Sequence, residues 1–403
     1  MPKKRVVLAV HGGAGIILRS ALTPEMEAEY RSALRDALAA GYEVLQHKDE
    51  GDQQAAVEAA EAAVRCMEDC PLFNAGKGSV FAHDEQIRCD ASIMSCSFDK
   101  ATSGKDAHAD AAVNKDDERI KSCRQIIRKR RLQNSPHPRA GAIAGVSNIQ
   151  NPISLAKAVM ERTPHVMLIG NGAVDFAKQL PKEAKVEFQP DDYFWTERRW
   201  KQLVNVRRSE DEEQQNQVEQ VLNVQLDHSS LPNKDIMELC DKKFGTVGCV
   251  ALYRPDPNEN VYQLASATST GGMTNQRYHR VGDSPIIGAG TYANHLCAVS
   301  CTGHGEWFIR CVAAHDIAKR LEYRYGYDST SCATDNTLLK RALDEVILGT
   351  LMSESDDGQQ EGDGGAIVLD KDGNFAAEMN CAGMFHGWVY DDGEIETRIF
   401  WDE

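Results

Sequence analysis

The chain has 403 residues, with 45 basic and 61 acidic side chains and a formal net charge of −16 at pH 7. This acidic balance disfavours a general nucleic-acid binder, which needs a net basic surface, and no apolar run approaches the ~18 residues that a membrane span needs. Hydrophobic residues make up 42% and charged residues 26%, a composition typical of globular proteins and not of disordered ones.

The N-terminal part predicts a strand, a glycine turn and two helices. Residues 5–10 form a short apolar run that ends at the glycine-rich segment 11–15. Thr23 and Pro24 predict a helix start, because threonine caps the first turn and proline fits the first helical position. Apolar residues at helical spacing then predict one helix that ends near residue 45 and an alanine-rich helix over residues 54–68.

Two polar stretches interrupt this pattern. Residues 97–138 have no sustained period and predict a surface insertion, although their basic run at 128–131 leaves a nuclear-localisation signal as an alternative. Residues 186–243 predict a flexible linker, and their acidic part at 209–220 has the composition of a disordered segment or a solvated helix. The elements predicted between the two stretches are a strand at 141–146, a helix at 151–162, a buried strand at 165–170 and a helix at 173–180.

The C-terminal part returns to apolar, β-rich runs after residue 245. Its predicted elements are a hairpin at 246–252 and 262–268, helices at 308–325 and 336–351, and a strand pair at 366–369 and 375–379. Strands, then helices, then strands again predict layers of sheet between helices, instead of a regular alternation of strand and helix.

The cysteines and the glycine-rich turns predict no catalytic cofactor. Twelve cysteines lack zinc-site spacing and predict reduced thiols in a cytoplasmic protein. Segment 74–79 resembles a P-loop, but Gly78 follows its lysine where a P-loop needs Ser or Thr. Segment 288–293 lacks the acidic ribose ligand of a dinucleotide site.

Thr246 is the candidate for covalent chemistry. It follows Gly245, opens a predicted strand and comes after a long polar segment. If the bond between these two residues is cut, the new α-amino group has a reference pKa of ~8 and can act as general base toward the hydroxyl of the same residue. A Gly-Thr pair by itself is more often a plain strand start, so the surrounding motifs decide the interpretation.

Six further motifs supply that context, and they are rich in glycine and hydroxyl residues. They are HGGAG at 11–15, FNAG at 73–76, DASIM at 90–94, TSTGGM at 268–273, RVGDSP at 280–285 and SCTGHGE at 300–306. Together with Thr246, this ordered set resembles the plant-type L-asparaginase/isoaspartyl peptidase family of N-terminal-nucleophile hydrolases. The resemblance covers about residues 5–95, 139–185 and 244–385, and it implies an α+β fold, a four-layer αββα sandwich.

The resemblance implies a self-cleaving amidohydrolase. Thr246 would attack the β-carbonyl of L-asparagine or of a β-aspartyl (isoaspartyl) peptide, and water would then release L-aspartate from the acyl-enzyme. Thr270 matches the family's second threonine, which hydrogen-bonds the nucleophile, and Asn74 matches the asparagine near it. Thr302 and Gly303 match the oxyanion-hole pair, which stabilises the developing negative charge.

Arg280 and Asp283 are the implied substrate anchors. A guanidinium can bind the α-carboxylate of an aspartyl group bidentately, and a carboxylate can accept the α-ammonium of the same group. Gly272 matches a backbone group that also contacts the ammonium, and Thr302 and Gly303 would contact the substrate carbonyl. The expected partner is therefore a small molecule or a dipeptide, with neither nucleic acid nor membrane involved.

The resemblance also implies how the chain is organised. Cleavage between Gly245 and Thr246 would divide one 1–403 domain into an α subunit, 1–245, and a β subunit, 246–403. Two such cleaved units would pair into a heterotetramer. A structural Na⁺ is implied, held by main-chain carbonyls at the positions that match the family's loop: Met67, Glu68, Cys70, Phe73, Ala75 and Lys77.

Departures from the family pattern leave other functions open. His279 stands where glycine is usual, and Cys381 replaces a usual threonine. Glycosylasparaginase shares the fold and the nucleophile, and the long insertions keep a protein-cleaving threonine aspartase as a second alternative. A non-catalytic binding protein on the same fold is the alternative from another class, and the intact motif residues argue against it.

Overall fold

The computed structural model describes residues 6–20, 22–48, 52, 54–99, 138–219, 245–259, 261–327, 336–351 and 362–403. Most of the predicted insertion over 97–138 and residues 220–244 of the predicted linker lie outside these ranges. Within them, the chain has a mixed α/β fold with two β-sheets and flanking helices. None of the helices in these ranges is long and apolar enough to cross a membrane.

The elements before the predicted cleavage site are β1 (Val6–Gly15), α1 (Pro24–Gln46), α2 (Ala55–Asp69), β2 (Cys89–Asp99), β3 (Arg139–Val146), α3 (Pro152–Arg162), β4 (Met167–Ile169), α4 (Gly170–Ala177), α5 (Asp191–Phe194) and α6 (Glu197–Glu219). Those after it are β5 (Thr246–Tyr253), β6 (Val261–Thr270), β7 (Thr291–Ala293), β8 (Cys297–Gly303), α7 (Gly305–Cys311), α8 (Ala313–Tyr327), α9 (Thr337–Asp344), β9 (Gly364–Asp370), β10 (Phe375–Met379), β11 (Gly383–Val389) and β12 (Ile395–Arg398). Short 3₁₀ turns lie at Gly76–Gly78 and Lys182–Ala184, and a π-helical turn at Glu345–Thr350 follows α9.

The predicted start of the first helix and most of the predicted elements agree with the structure. Thr23 caps α1, because its hydroxyl oxygen accepts the backbone N–H of Met26 over 3.2 Å. The strand predicted at 165–170 differs: β4 is only three residues long, and Ile169 is 64% exposed. This strand lies at the edge of its sheet, where an apolar run does not imply burial on both faces.

One predicted helix and part of the predicted linker also differ in detail. The helix predicted at 308–325 is broken at Val312, which adopts a left-handed φ of 50° between α7 and α8. The described part of the predicted linker, residues 186–219, contains α5 and α6, and over residues 209–219 this agrees with the helix that the sequence left open as an alternative. Arg199 and Leu203 of α6 are buried, so packing against the rest of the protein supports a helix that its polar composition alone would not.

The strands of the larger sheet do not lie in chain order, whereas those of the smaller sheet do. The larger runs β12-β11-β1-β5-β6-β2-β3-β4 and the smaller β10-β9-β8-β7. Strand β5 lies between β1 and β6 and is antiparallel to both, with Thr246 directly opposite Thr270. Thr246 therefore begins a central strand of the larger sheet, not an edge.

Apolar side chains alternate along the strands and pack on both faces of the sheets. In β1, Leu8 and Val10 belong to the cluster formed with α1 and α2, whereas Val7 belongs to a cluster that joins the two sheets. In β8, Val299 packs with residues of α8 and α9, and Ala298 belongs to the cluster between the sheets. Burial of each such aliphatic side chain stabilises the fold by roughly 1.5–3 kcal/mol.

Candidate active site

At one end of the layer between the sheets, the inward-facing side chains change from apolar to hydroxyl-bearing. Val250 of β5 packs between the sheets, and strand alternation places Thr246 on the same face. The buried hydroxyl residues gathered at this end are Thr246 of β5, Thr268 and Thr270 of β6, and Ser300 and Thr302 of β8. Because hydroxyls can both donate and accept hydrogen bonds, these buried side chains can serve as hydrogen-bond partners for one another without water.

The hydroxyls of Thr246 and Thr270 form a short chain that ends on a carbonyl. Thr246 Oγ1 donates to Thr270 Oγ1 over 3.2 Å, and Thr270 Oγ1 donates to the carbonyl oxygen of Gly245 over 3.3 Å. The backbone N–H of Gly272 also donates to Thr270 Oγ1, at 3.1 Å. Thr270 thus connects the nucleophile predicted from the sequence to the carbonyl of the predicted cleavage site, where a donor can stabilise negative charge on the oxygen.

Gly245 lies against Asn74, a predicted site residue, and against Gly13 of the HGGAG motif. A Cβ added at Gly245 would lie 2.9 Å from the Cβ of Asn74, and one added at Gly13 would lie 3.0 Å from the Cα of Gly245. Asn74 Nδ2 donates to the carbonyl of Gly272 over 2.7 Å, and its Oδ1 accepts the N–H of Val80 over 3.0 Å. Asn74 therefore packs closely against Gly245 and holds the neighbouring segments at Gly272 and Val80 by hydrogen bonds.

Substitution of Gly13 tests its close contact with Gly245. Gly13 has a φ of 116°, a conformation that L-residues rarely adopt, and its backbone lies against Gly245. We expect Gly13→Ala to slow self-cleavage at least about tenfold, because a displacement of roughly 1 Å at a reacting centre costs up to ~10²-fold in rate. The measurement is a time course of precursor loss on a denaturing gel.

Gly172→Ala is the matched control, since a Cβ at that exposed position in α4 would meet nothing within 4 Å. Its time course should match the wild type. Equal rates for Gly13→Ala and wild type would show that the close approach to Gly245 has no part in cleavage.

His11 is a motif residue for which the sequence predicted no role, and it supports Thr246. Its Nδ1 lies 3.1 Å from the carbonyl oxygen of Thr246, which can only accept, so Nδ1 carries the proton. Its Nε2 then accepts from the hydroxyl of Ser300 at 2.8 Å. Complete burial lowers the pKa of His11 to about 3, although the bond to Thr246 opposes this shift. The neutral ring therefore fixes the first residue of β5 without adding charge.

Thr302 and Gly303 lie at the end of β8 beside this cluster. The Thr302 hydroxyl oxygen accepts the N–H of Ala14 over 3.2 Å, and a hydroxyl that accepts one bond can still donate its own proton to another group. Gly303 lines the same cleft as Thr246. Of the pair predicted as an oxyanion hole, Gly303 therefore lies on the surface of the cleft beside Thr246, whereas Thr302 is buried and does not line it.

Arg280 is held by residues that the sequence did not single out. Its Nε and Nη2 donate to the two carboxylate oxygens of Glu306 at 2.9 and 2.7 Å, and its Nη1 donates to Gln276 Oε1 at 3.2 Å. Partial burial opposes ionisation of Glu306, but the hydrogen bonds and the positive charge of Arg280 together outweigh it and lower the pKa of that carboxyl. Glu306 belongs to the SCTGHGE motif, and its place in this motif is the sequence feature that could have predicted its position near the site.

Asp283 is buried, and its Oδ2 has no hydrogen-bond partner among the described residues. Burial raises its pKa to about 7, while the charge of Arg280 acts in the opposite direction. A Cβ added at Gly305 would lie 2.8 Å from Asp283 Oδ1 and 3.0 Å from Arg280 Nη2. The two predicted anchors, one cationic and one acidic, thus meet at the same glycine.

A cleft of about 250 Å³ joins most of the predicted site residues, but Asn74 and Thr302 do not line it. Its lining includes the following predicted residues: Gly245, Thr246, Thr270, Gly272, Arg280, Asp283 and Gly303. His279 is exposed and has a left-handed φ of 66°, a conformation that a glycine at this position would adopt readily. The cleft can therefore present a nucleophile, an oxyanion donor and opposite charges to one small ligand.

The loop predicted to hold Na⁺ lies between α2 and the 3₁₀ turn at Gly76–Gly78. A Cβ at Gly76 would lie 2.4 Å from the carbonyl oxygen of Glu68, and one at Gly78 would lie 2.0 Å from that of Phe73. Carbonyl oxygens are ligands suited to hard cations, so the backbone of this loop fits the predicted ion. In the described ranges, no group of three or more His, Cys, Asp or Glu side chains could hold a metal ion.

Comparisons with known proteins agree with the motifs. The sequence model of a family described as asparaginase matches residues 4–108 and 132–399. The chain is 35% identical over 397 residues to the isoaspartyl peptidase of Salmonella typhimurium, covering 98% of this chain and 99% of that protein. It is 36% identical over 397 residues to the isoaspartyl peptidase of Escherichia coli, with 98% and 96% covered. A plant-type L-asparaginase from Thermococcus kodakarensis is 34% identical over 326 residues, with 81% and 82% covered. The resemblance inferred from the motifs is confirmed.

Proposed function

The chain belongs to the asparaginase family, and we propose that it hydrolyses the side-chain amide of L-asparagine and the β-aspartyl bond of isoaspartyl peptides, releasing L-aspartate. The observation that carries this proposal is the cleft that joins Thr246 to Arg280 and Asp283. A nucleophile alone would suit many acyl transfers. The opposite charges beside it suit a substrate that carries both an α-carboxylate and an α-ammonium.

The first step is self-cleavage. Thr246 Oγ1 attacks the carbonyl carbon of Gly245, and the bond to the Thr246 nitrogen breaks as the proton of the hydroxyl passes to that nitrogen. Water then hydrolyses the resulting ester, leaving a carboxylate on Gly245 and a free α-amino group on Thr246. The hydrogen bond from Thr270 Oγ1 to the Gly245 carbonyl, at 3.3 Å, supports this step because it lies where negative charge develops.

Turnover reuses the same hydroxyl. The neutral α-amino group of Thr246 takes the hydroxyl proton, and Oγ1 attacks the β-carbonyl of the substrate. The Thr302 hydroxyl and the Gly303 N–H stabilise the oxyanion, and the leaving nitrogen departs with the proton from the amino group. Water then attacks the acyl-enzyme and releases L-aspartate, so no cofactor is consumed.

The anchors determine which end of the substrate enters. Arg280, oriented by Glu306 and Gln276, binds the α-carboxylate through its remaining N–H groups. Asp283 accepts the α-ammonium through its carboxylate, whose Oδ1 lies on the side of Gly305 and the cleft, assisted by the backbone at Gly272. An aspartyl group held at both α-substituents directs its β-carbonyl toward Thr246.

We also propose the four-layer αββα arrangement of N-terminal-nucleophile hydrolases. Three apolar clusters support it, one on the outer face of each sheet with its helices and one between the sheets. The whole chain would be one domain, cut into 1–245 and 246–403, with two cleaved units paired. We expect a cytoplasmic location, where the described cysteines would remain the free thiols that they are here.

A Na⁺ in the loop after α2 would be structural. The carbonyls of Glu68 and Phe73 would contribute to holding it, with the other predicted positions Met67, Cys70, Ala75 and Lys77 in the same loop. Its chemical contribution would be to gather carbonyl dipoles that otherwise repel one another. The loop leads directly to Asn74, so its order supports the position of that side chain.

Three substrates test the proposed function. We expect purified, self-cleaved protein to release aspartate from L-asparagine and from a β-aspartyl dipeptide, and at least about 100-fold more slowly from N-acetylglucosaminyl-asparagine. Faster hydrolysis of the glycosylated substrate would assign glycosylasparaginase activity instead. An uncleaved wild-type chain that releases no aspartate from any of the three would point to the non-catalytic alternative.

A further inference from the structure

A second cavity lies against the cleavage site, separate from the cleft that holds the anchors. Its empty volume is about 560 Å³. Gly245 and Gly272 line both spaces, so these two residues form the boundary between them. Once the bond between Gly245 and Thr246 is cut, Gly245 is free to move and the boundary can open.

The chemistry of turnover determines which space receives the leaving group. The leaving nitrogen takes its proton from the α-amino group of Thr246, so it must lie within hydrogen-bond distance of that group. In the precursor, the Thr246 nitrogen that becomes this α-amino group is bonded to Gly245. The leaving group therefore occupies the position that Gly245 vacates, and whatever is attached to it extends toward the second cavity.

The lining of this cavity has an apolar part and a cationic part. Tyr30 stacks on Phe385 with ring centroids 4.1 Å apart, and its edge meets Phe73 at 5.7 Å. The cations are Arg198 and Arg199 of α6. These features match a short apolar group that ends in an anion.

The two arginines are held differently. Arg199 is only 7% exposed and donates to the carbonyl oxygen of Gly78 over 2.6 Å, so it fixes α6 to the body of the protein. Arg198 is partly exposed, and its Nη1 donates to the Tyr30 hydroxyl over 2.8 Å. That hydroxyl donates in turn to the carbonyl of Leu72 over 3.3 Å. Arg198 is thus positioned at the cavity wall by the hydroxyl of Tyr30.

We propose that this cavity is the leaving-group site and that Arg198 binds the free α-carboxylate of the second residue of a β-aspartyl dipeptide. The proposal rests on the proposed function and narrows its substrate class to dipeptides with an apolar second residue. Tyr30, Phe73 and Phe385 would contact the side chain of that residue. L-asparagine, whose leaving group is ammonia, would use none of these contacts.

The test compares β-aspartyl-leucine with the same dipeptide carrying a C-terminal amide. We expect wild-type protein to hydrolyse the free acid with a kcat/KM at least about tenfold higher, since a charge-assisted bidentate contact is lost in the amide. Arg198→Gln should bring the ratio of the two values close to one. Tyr30→Phe, which removes only the hydroxyl that positions Arg198, should lower the ratio in the same direction.

Lys201→Gln is the matched control, because Lys201 lies on the same helix, 68% exposed, and pairs with Glu197. It should keep the wild-type ratio. A wild-type ratio near one, or a high ratio that survives in Arg198→Gln, would overturn the assignment. L-asparagine is assayed in parallel: if the wild type releases aspartate from none of the substrates, the proposed function itself fails, which differs from failure of the ratio.

Discussion

Thr246→Ala is expected to leave the chain in one piece and to reduce aspartate release to background, a loss of at least about 10⁴-fold. The substitution removes the hydroxyl that attacks Gly245, and without cleavage no α-amino base is formed. On a denaturing gel the wild type should give fragments of 245 and 403 − 245 = 158 residues. The variant should give a single 44.5 kDa band.

Two further variants serve as controls for this experiment. Thr246→Ser keeps a hydroxyl and should still cleave, more slowly. Thr397→Ala changes a threonine on the edge strand β12, far along the sheet order from β5, and should behave as wild type. Fragments in the Thr246→Ala sample would assign the cut to another protease or another residue.

The pH dependence of kcat/KM is expected to depend on Asp283. Burial raises the pKa of this carboxyl to about 7, and only its ionised form accepts the substrate ammonium. The α-amino group of Thr246, with a reference pKa of ~8, must also be deprotonated. Below pH ~7 both groups must lose a proton, so log kcat/KM should rise with a slope approaching two, and then with a slope of one up to pH ~8.

Asp283→Asn should remove one of these two requirements. We expect a slope of one below pH ~7 and a loss of roughly 10²-fold in kcat/KM at pH 8, mostly through KM, because a charged partner of the substrate is gone. The measurement is a pH series with L-asparagine in both proteins. An unchanged slope of two in the variant would assign the second ionisation to a different group.

The same substitution should raise stability where it lowers activity. A carboxyl whose folded-state pKa lies above its unfolded value destabilises the fold progressively as pH rises from about 4 to about 7. At pH 8, therefore, Asp283→Asn should unfold at a higher temperature than its parent, and at pH 3 the two should be alike. Thermal unfolding in the uncleaved Thr246→Ala background keeps the comparison to a single chain. A lower midpoint at pH 8 would mean that Asp283 holds the structure together and is not kept for a ligand.

The sequence predicted the site better than it predicted the packing around it. Thr246, Thr270 and Gly303 come from three different strands and line one cleft, as the family resemblance implied and as no local pattern alone could have shown. The pairing of Arg280 with Glu306 depends on where α7 lies relative to a loop 26 residues earlier in the chain. No local pattern specifies that distance, although Glu306 stood in a motif that had already been noted.

The errors in secondary structure have related causes. The break at Val312 places a β-branched residue in a left-handed conformation. The sequence has no glycine or proline at this position that would predict a helix end. Helix α6 is polar along most of its length, so its composition resembled a linker, and burial of Arg199, Gln202 and Leu203 explains why its first turns are ordered. A short apolar run such as β4 cannot by itself distinguish an edge strand from a central one.

The strand order of the larger sheet determines how the two fragments can be made. Strand β1 belongs to the N-terminal fragment, yet it is hydrogen-bonded on one side to β11 and on the other to β5, both from the C-terminal fragment. Halves synthesised apart would each expose unpaired strand edges, which are templates for aggregation. A single continuous polypeptide keeps these edges at high effective concentration until they pair. Synthesis as one chain would therefore assist assembly, and the proposed later cut would leave two polypeptides that share one hydrogen-bonded sheet.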